Sequence, residues 1–304
     1  MKFGSVENPE AIDFTLPPTH PDTLALLDKH RKQKGDLAVY VGCAKWNKQD
    51  LKGFYPRGTK DELTYYATQF NSIELNGTFY NSPDKAQVET WKAKTPADFK
   101  FFPKVPQSIS HYGRLLNVDD KMTAFCDAIA LFEEKLGVSF LQLHDNFKPK
   151  DFDRLAGFLR KFAKSVPLAL EVRNADWFAD EQIREKLWTL LQNEDIANVI
   201  VDTAGRRDML HMRLTTPTAF IRYVGANHPT DKNRLDDWVA RIKEWRDAGL
   251  QSLYFFVHQN IEVESPLLST YFIAQLNDAL GLHVRGPNGN CFNANVRPYP
   301  KEWR

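Results

Sequence analysis

Between residues 37 and 281 the chain switches repeatedly between short apolar runs and longer stretches with helical spacing. The short runs carry β-branched and aromatic residues and are too brief for helices, so they read as strands. They predict strands over residues 38–44, 72–76, 100–104, 138–144, 168–173, 198–203, 219–223 and 252–258. Helical spacing fills most of the gaps. Met122, Phe125, Ile129, Phe132 and Leu136 recur at steps of three and four, with Gly137 expected as the cap. Phe152 to Phe162, Ile183 to Leu191 and Leu235 to Trp245 repeat the design, the last ended by Gly249. A first helix is expected over 61–70, and two more are expected to begin at Ser82-Pro83 and Ser265-Pro266. Eight strands alternating with helices over roughly 245 residues fit a single parallel (β/α)8 barrel, the TIM-barrel architecture of the α/β class. A doubly wound sheet is the competitor, but no glycine-rich phosphate loop follows any of these strands. The expected organisation is an N-terminal extension over 1–36, the barrel over 37–281 and an irregular tail over 282–304.

Side chains alternate across a strand, so one parity of each run faces a barrel interior. On seven strands that parity ends in a charged or amide residue: Glu74 and Asn76, Lys104, Gln142 and His144, Glu171 and Arg173, Asp202, Arg222, and His258. A barrel core favours bulky apolar residues, and an unpaired buried ion costs several kcal/mol. The C-terminal ends of the strands are where such barrels carry their chemistry. These residues are therefore expected to line one cavity. An ion-pair network plugging the barrel end is the structural alternative for any one of them. It does not account for all ten, because apolar residues would fill the volume with less desolvation.

Composition narrows the partners. Forty Lys and Arg stand against thirty-nine Asp and Glu, a formal charge of +1. So balanced a chain has no global field for nucleic acid or anionic lipid, and binding nucleic acid would need a local patch. No apolar run approaches membrane-span length, and the start lacks the apolar core of a secretion signal. Cys43, Cys126 and Cys291 show no metal or redox spacing, which suits a reducing, cytoplasmic setting. Oligomeric state is not legible.

The sequence also resembles a family. Val41-Gly42-Cys43-Ala44-Lys45-Trp46, Gly53-Phe54-Tyr55-Pro56 and Glu74-Leu75-Asn76-Gly77-Thr78-Phe79-Tyr80 are similar to the opening signature of the YecE-like family, domain of unknown function 72. Thr95-Pro96-Ala97-Asp98-Phe99-Lys100-Phe101, Leu141-Gln142-Leu143, Glu171-Val172-Arg173 with Trp177-Phe178, Val201-Asp202 and Ile221-Arg222 follow in the family's order. The resemblance implies a TIM barrel and no established activity. The chain departs from the pattern at Cys43, at His144 and in its Val257-His258-Gln259-Asn260 ending.

Three chemistries fit these residues. The favoured one is acid–base catalysis on a small anionic or polyhydroxylated substrate, a phosphorylated or carboxylated sugar-like ligand. Arg173, Arg222 and Lys104 would hold the anion, and Glu74 and Glu171 would serve as base and acid. His111 or His258 would relay protons, and Trp46, Tyr80 and Trp177 would offer flat faces. The class of enzyme (hydrolase, lyase or isomerase) stays open. The second chemistry is metal-assisted phosphodiester hydrolysis, with Glu74, His144, Glu171, Asp202 and His258 as ligands to a divalent metal. Its ligand spacing is unspecific, and the cations on the same parity compete for the carboxylates, so no metal or other cofactor is assigned. The third is a non-catalytic ligand-binding module.

Overall fold

The computed structural model describes residues 4–31, 36–162, 164 and 166–287. The expected tail beyond residue 287, with Cys291, lies outside the described residues. All eight expected strands are present: β1 Ala38–Cys43, β2 Ser72–Leu75, β3 Lys100–Pro103, β4 Ser139–Gln142, β5 Leu168–Glu171, β6 Ala197–Asp202, β7 Thr218–Gly225 and β8 Ser252–Gln259. Every pairing is parallel. The fold is thus α/β, with helices α1 Pro21–His30, α2 Glu62–Gln69, α3 Gly77–Tyr80, α4 Lys85–Ala93 and α5 Asp119–Ala130 in its first half. The second half adds α6 Phe152–Lys161, α7 Asp176–Ala179, α8 Glu181–Asn193, α9 Thr230–Ala248 and α10 Ser265–Leu280.

Backbone pairing divides the strands into a curled sheet of six, ordered β1-β8-β7-β6-β5-β4, and a sheet of two, β2-β3. The seams between the two sheets are made differently. At β3–β4 the backbone bridges only at Phe101 with Leu136 and Lys104 with Phe140. At β1–β2 side chains replace the ladder. Val41 N donates to Asn71 Oδ1 at 3.0 Å, and Asn71 Nδ2 donates to Val39 O at 2.8 Å. The Tyr66 hydroxyl accepts from Cys43 N at 2.7 Å and donates to Ser72 O at 3.1 Å. A Cβ at Gly42 would lie 2.2 Å from Ser72 O, so glycine is what allows β1 this close to β2.

Two apolar layers follow from strand parity. One parity (Ile73, Leu141, Leu170, Ile200, Ile221, Phe255) packs on the helices. The other gathers Phe102, Phe140, Val199, Val201, Phe220 and Phe256 into an inner cluster. Phe102 lies 4.8 Å from Phe256 and 6.0 Å from Phe220, ring to ring. Each such buried aromatic contributes about 1.5–3 kcal/mol relative to an exposed one. The same inner parity, one step further along the strands, carries the charged residues.

Two local expectations change. The helical spacing from Met122 to Leu136 is interrupted, because α5 stops at Ala130 and a separate 3-10 turn covers Glu133–Lys135. Glu133 adopts φ +51°, a left-handed conformation that ends an α-helix. Gly137 does not cap it. A Cβ there would meet the Phe102 ring at 2.7 Å, so the glycine makes room for the inner aromatic layer. The fourth helix starts at Lys85 rather than Ser82-Pro83, since Asp84 Oδ1 accepts from Gln87 N at 2.8 Å and caps it. Among the described residues no helix is long and apolar enough to cross a membrane.

Candidate functional site

Arg222, on the inner parity of β7, is the hub at the C-terminal end of the strands. Its Nε and Nη2 donate to Glu74 Oε2 and Oε1 of β2, each at 2.8 Å, and its Nη1 donates to Glu171 Oε2 of β5 at 2.6 Å. All three side chains are buried. Glu171 Oε1 also accepts from Gln142 Nε2 at 2.8 Å and from Arg173 Nε at 2.7 Å. Burial alone would raise the pKa of Glu171, but Arg222 and Arg173 outweigh it and hold the carboxyl at about 2. Burial works the same way on Glu74, where Arg222 and His258 hold the carboxyl well below the usual range. Asn76 Nδ2 adds a donor to Glu74 Oε1 at 2.8 Å.

His258, at the end of β8, places Nε2 3.0 Å from Glu74 Oε2 and 3.3 Å from Arg222 Nη2. Its Nδ1 lies 3.8 Å from Glu262 Oε1. Burial would lower the His258 pKa, yet Glu74 and Glu262 raise it on balance, which favours the imidazolium. Glu262 was not legible as a site residue. The available signal is its position four residues after His258, where the chain leaves the strand.

Lys104 follows β3 on the same parity. Its Nζ donates to Gln142 Oε1, a neutral amide, at 2.9 Å, and lies 4.1 Å from the centre of the Phe79 ring. Thr78 fixes that ring's helix, its Oγ1 bonding Leu75 O at 2.9 Å and Lys104 O at 2.7 Å. Burial, with Arg222 beside it, lowers the ammonium pKa to about 7.

His111 packs edge-on against Phe79, ring centres 4.9 Å apart, and lies 5.1 Å from His144. Ser110 Oγ lies within donating reach of Pro106 O at 3.1 Å. Ser110 Oγ also lies 2.9 Å from His111 Nδ1, and when Nδ1 carries the proton and donates this contact the lone pair is on Nε2. Burial, with His144 and Lys104 nearby, lowers the His111 pKa to about 4. His144 Nδ1 accepts from Asn146 N at 3.1 Å.

Beside Glu74 and Asn76 opens a cavity of about 330 Å³ whose walls include Trp46, Trp91 and Tyr80. Tyr80 is 67% exposed, and Trp46 packs edge-on against Trp91 at 5.9 Å.

The structure thus gathers Glu74, Asn76, Lys104, Gln142, Glu171, Arg173, Arg222 and His258, with His111 and His144 at the edge and Trp46 and Tyr80 in the adjoining cavity. Two expected members are elsewhere. Asp202 lies behind the sheet, where Arg234 Nη2 reaches it at 2.9 Å and Trp238 Nε1 at 2.8 Å, with Arg207 as a further ion-pair partner. On β6 the inner parity is Ala197, Val199 and Val201, so Asp202 faces α9. Trp177 is fully buried, and its Nε1 donates to Phe147 O at 2.8 Å, which makes it a clasp between loops. Cys43 is also buried, and burial pushes its thiol up to about 12, against any nucleophilic role. Among the described residues no group of three or more His, Cys, Asp or Glu side chains is placed to hold a metal ion.

The family model described as "Protein of unknown function DUF72" matches residues 40–288. The UPF0759 protein YecE of Escherichia coli K12 is 27% identical over 252 residues, covering 76% of this chain and 89% of that protein. The UPF0759 protein YunF of Bacillus subtilis is 27% identical over 150 residues, 46% of this chain and 52% of that one. A solved DUF72 family protein from Thermotoga maritima superposes with a TM-score of 0.63 at 25% identity, over 79% of this chain and 99% of that one. One from Enterococcus faecalis gives 0.66 at 19% identity, over 82% and 100%, a likeness of fold alone.

Proposed function

This chain belongs to the DUF72 family, proteins of unknown function, and we propose that its eight strands close a (β/α)8 barrel whose polar end is an enzyme site for a small anionic substrate. The observation that carries this reading is a charge left over. The carboxylates of Glu74, Glu171 and Glu262 are matched in number by Arg222, Arg173 and His258, whose carboxylate neighbours favour its imidazolium form. Lys104 is additional, and its acceptor is an uncharged amide. A substrate carboxylate or phosphate supplies the missing counter-charge, gripped by the Arg173 guanidinium at the more open edge of the cluster.

Proton transfer falls to His111. It is neutral at pH 7, so one ring nitrogen carries a lone pair, the requirement for a general base. Glu74 and Glu171 are held ionised, have no proton to give at neutral pH, and act by fixing Arg222 and Arg173. The cavity at Trp46 and Tyr80 takes the polyhydroxylated remainder of the substrate against flat apolar faces.

Thermal unfolding in inorganic phosphate or citrate, against sodium chloride of equal ionic strength, tests the anion site. Stabilisation that saturates and is lost in Arg173→Leu supports it. Equal stabilisation of Arg173→Leu and the parent contradicts it.

A further inference from the structure

We propose that Lys104 is an amine nucleophile, and that this site forms a Schiff base with a small carbonyl compound carrying a carboxylate or phosphate. The inference rests on the anion-site reading above and names the substrate class for it. Three placements carry it. Lys104 Nζ is seated on the apolar Phe79 face, with Phe140 on a second side at 5.9 Å. Its Nζ bonds the neutral Gln142 Oε1 and no carboxylate directly, so burial and Arg222 outweigh the pull of Glu171 and Glu74 toward the ammonium form. Arg173 and Arg222 approach the same Glu171, which gives Lys104 cationic neighbours that further favour the free amine.

The charges agree with the covalent step. With Lys104 neutral, the cluster's cations and carboxylates are equal in number. An anionic substrate on Arg173 brings one negative charge, and an iminium at Nζ restores the balance. In the step itself, the Nζ lone pair adds to the carbonyl carbon and the C=O π pair moves to oxygen. The carbinolamine oxygen collects two protons and leaves as water, and one proton from solvent completes the protonated imine. His111, packed edge-on against the same Phe79 ring, is the group that accepts and returns the proton between amine and oxygen.

The test is reductive trapping on the full chain. Pyruvate, glyoxylate and dihydroxyacetone phosphate are each incubated with the protein and sodium cyanoborohydride at pH 7, with acetone as the uncharged control. The expected result is one secondary-amine adduct, mapped by peptide mass spectrometry to Lys104, formed with saturable dependence on at least one anionic carbonyl. It should be absent in Lys104→Arg and slowed about tenfold or more in Arg173→Leu, the loss of one charge-assisted contact. Adducts spread over surface lysines, at rates unchanged by Lys104→Arg, would overturn it. If Lys104→Arg fails to fold, the adduct map of the parent protein decides alone. Anion-dependent thermal stabilisation without any adduct at Lys104 overturns the amine and leaves the anion site standing. Loss of both removes both.

Discussion

Arg222 and Glu74 are joined by two parallel hydrogen bonds of 2.8 Å that cross from the six-stranded sheet to the two-stranded one. The same guanidinium reaches Glu171, so one cation holds two buried carboxylates. Removing it leaves Glu74 with His258 and Glu171 with Arg173 as their remaining cationic partners, and takes away the group that joins them. Arg222→Met is expected to lower unfolding stability by about 3–5 kcal/mol. The triple variant Glu74→Leu, Glu171→Leu, Arg222→Met should recover part of that loss, since the guanidinium goes together with both carboxylates while Arg173 and His258 lose a partner each. Denaturant unfolding of the two variants checks it. A triple variant no more stable than Arg222→Met would show that the cluster is needed for folding itself.

Glu171 sets an acid limit. Its folded pKa of about 2 lies below the ordinary 4.5, so its contribution is fully present above pH 4.5. That contribution, on the order of 3 kcal/mol, is lost as pH falls from 4.5 toward 2. Glu171→Gln should flatten this part of the stability curve measured by urea unfolding. An unchanged slope would place the acid sensitivity elsewhere.

Lys104 acts in the opposite range. Its folded pKa of about 7 lies below the ordinary 10.5, so between these values the unfolded chain binds a proton that the folded one does not. Stability attributable to this group therefore rises with pH from 7 to 10.5. Subtracting the curve of Lys104→Met from that of the parent isolates the slope, and a difference that stays flat across this window contradicts the assignment.

The β1–β2 seam depends on two small features. A Cβ at Gly42 collides with Ser72 O at 2.2 Å, and Asn71 makes both hydrogen bonds that a ladder would otherwise supply. Gly42→Ala is expected to cost about 1–3 kcal/mol through overpacking, with Asn71→Ala costing a similar amount through unpaired backbone groups. Thermal melts of both report it. Hydrogen exchange should show the loss concentrated at Val41 N, the group that donates to Asn71.

Much of this arrangement was legible in the sequence because strands alternate with period two. Glu74, Gln142, Glu171, Arg222 and His258 each oppose apolar neighbours, so parity alone put them on one side. Asp202 escaped that logic. The inner residues of β6, Val199 and Val201, are apolar, and so is Ile200 on the outer parity, so the strand carries no sign of which face is which. Only its partners Arg234 and Trp238 on α9 decide it, and they lie more than thirty residues away in sequence. The break after α5 was hidden for a related reason. Phe132 and Leu136 keep the helical spacing, while the backbone turns left-handed at Glu133, whose side chain gives no warning. Glu262 gained its place through the path of the chain after β8, which local patterning does not encode.

The central claim is that Lys104 is an uncompensated amine awaiting an anionic partner. The most direct measurement is an NMR titration of lysine side chains carrying ¹³C at Cε, with Lys104→Arg providing the assignment. The expected result is a Lys104 midpoint near 7 that moves upward when inorganic phosphate is added. A midpoint at the ordinary 10.5, unmoved by phosphate, would contradict the account.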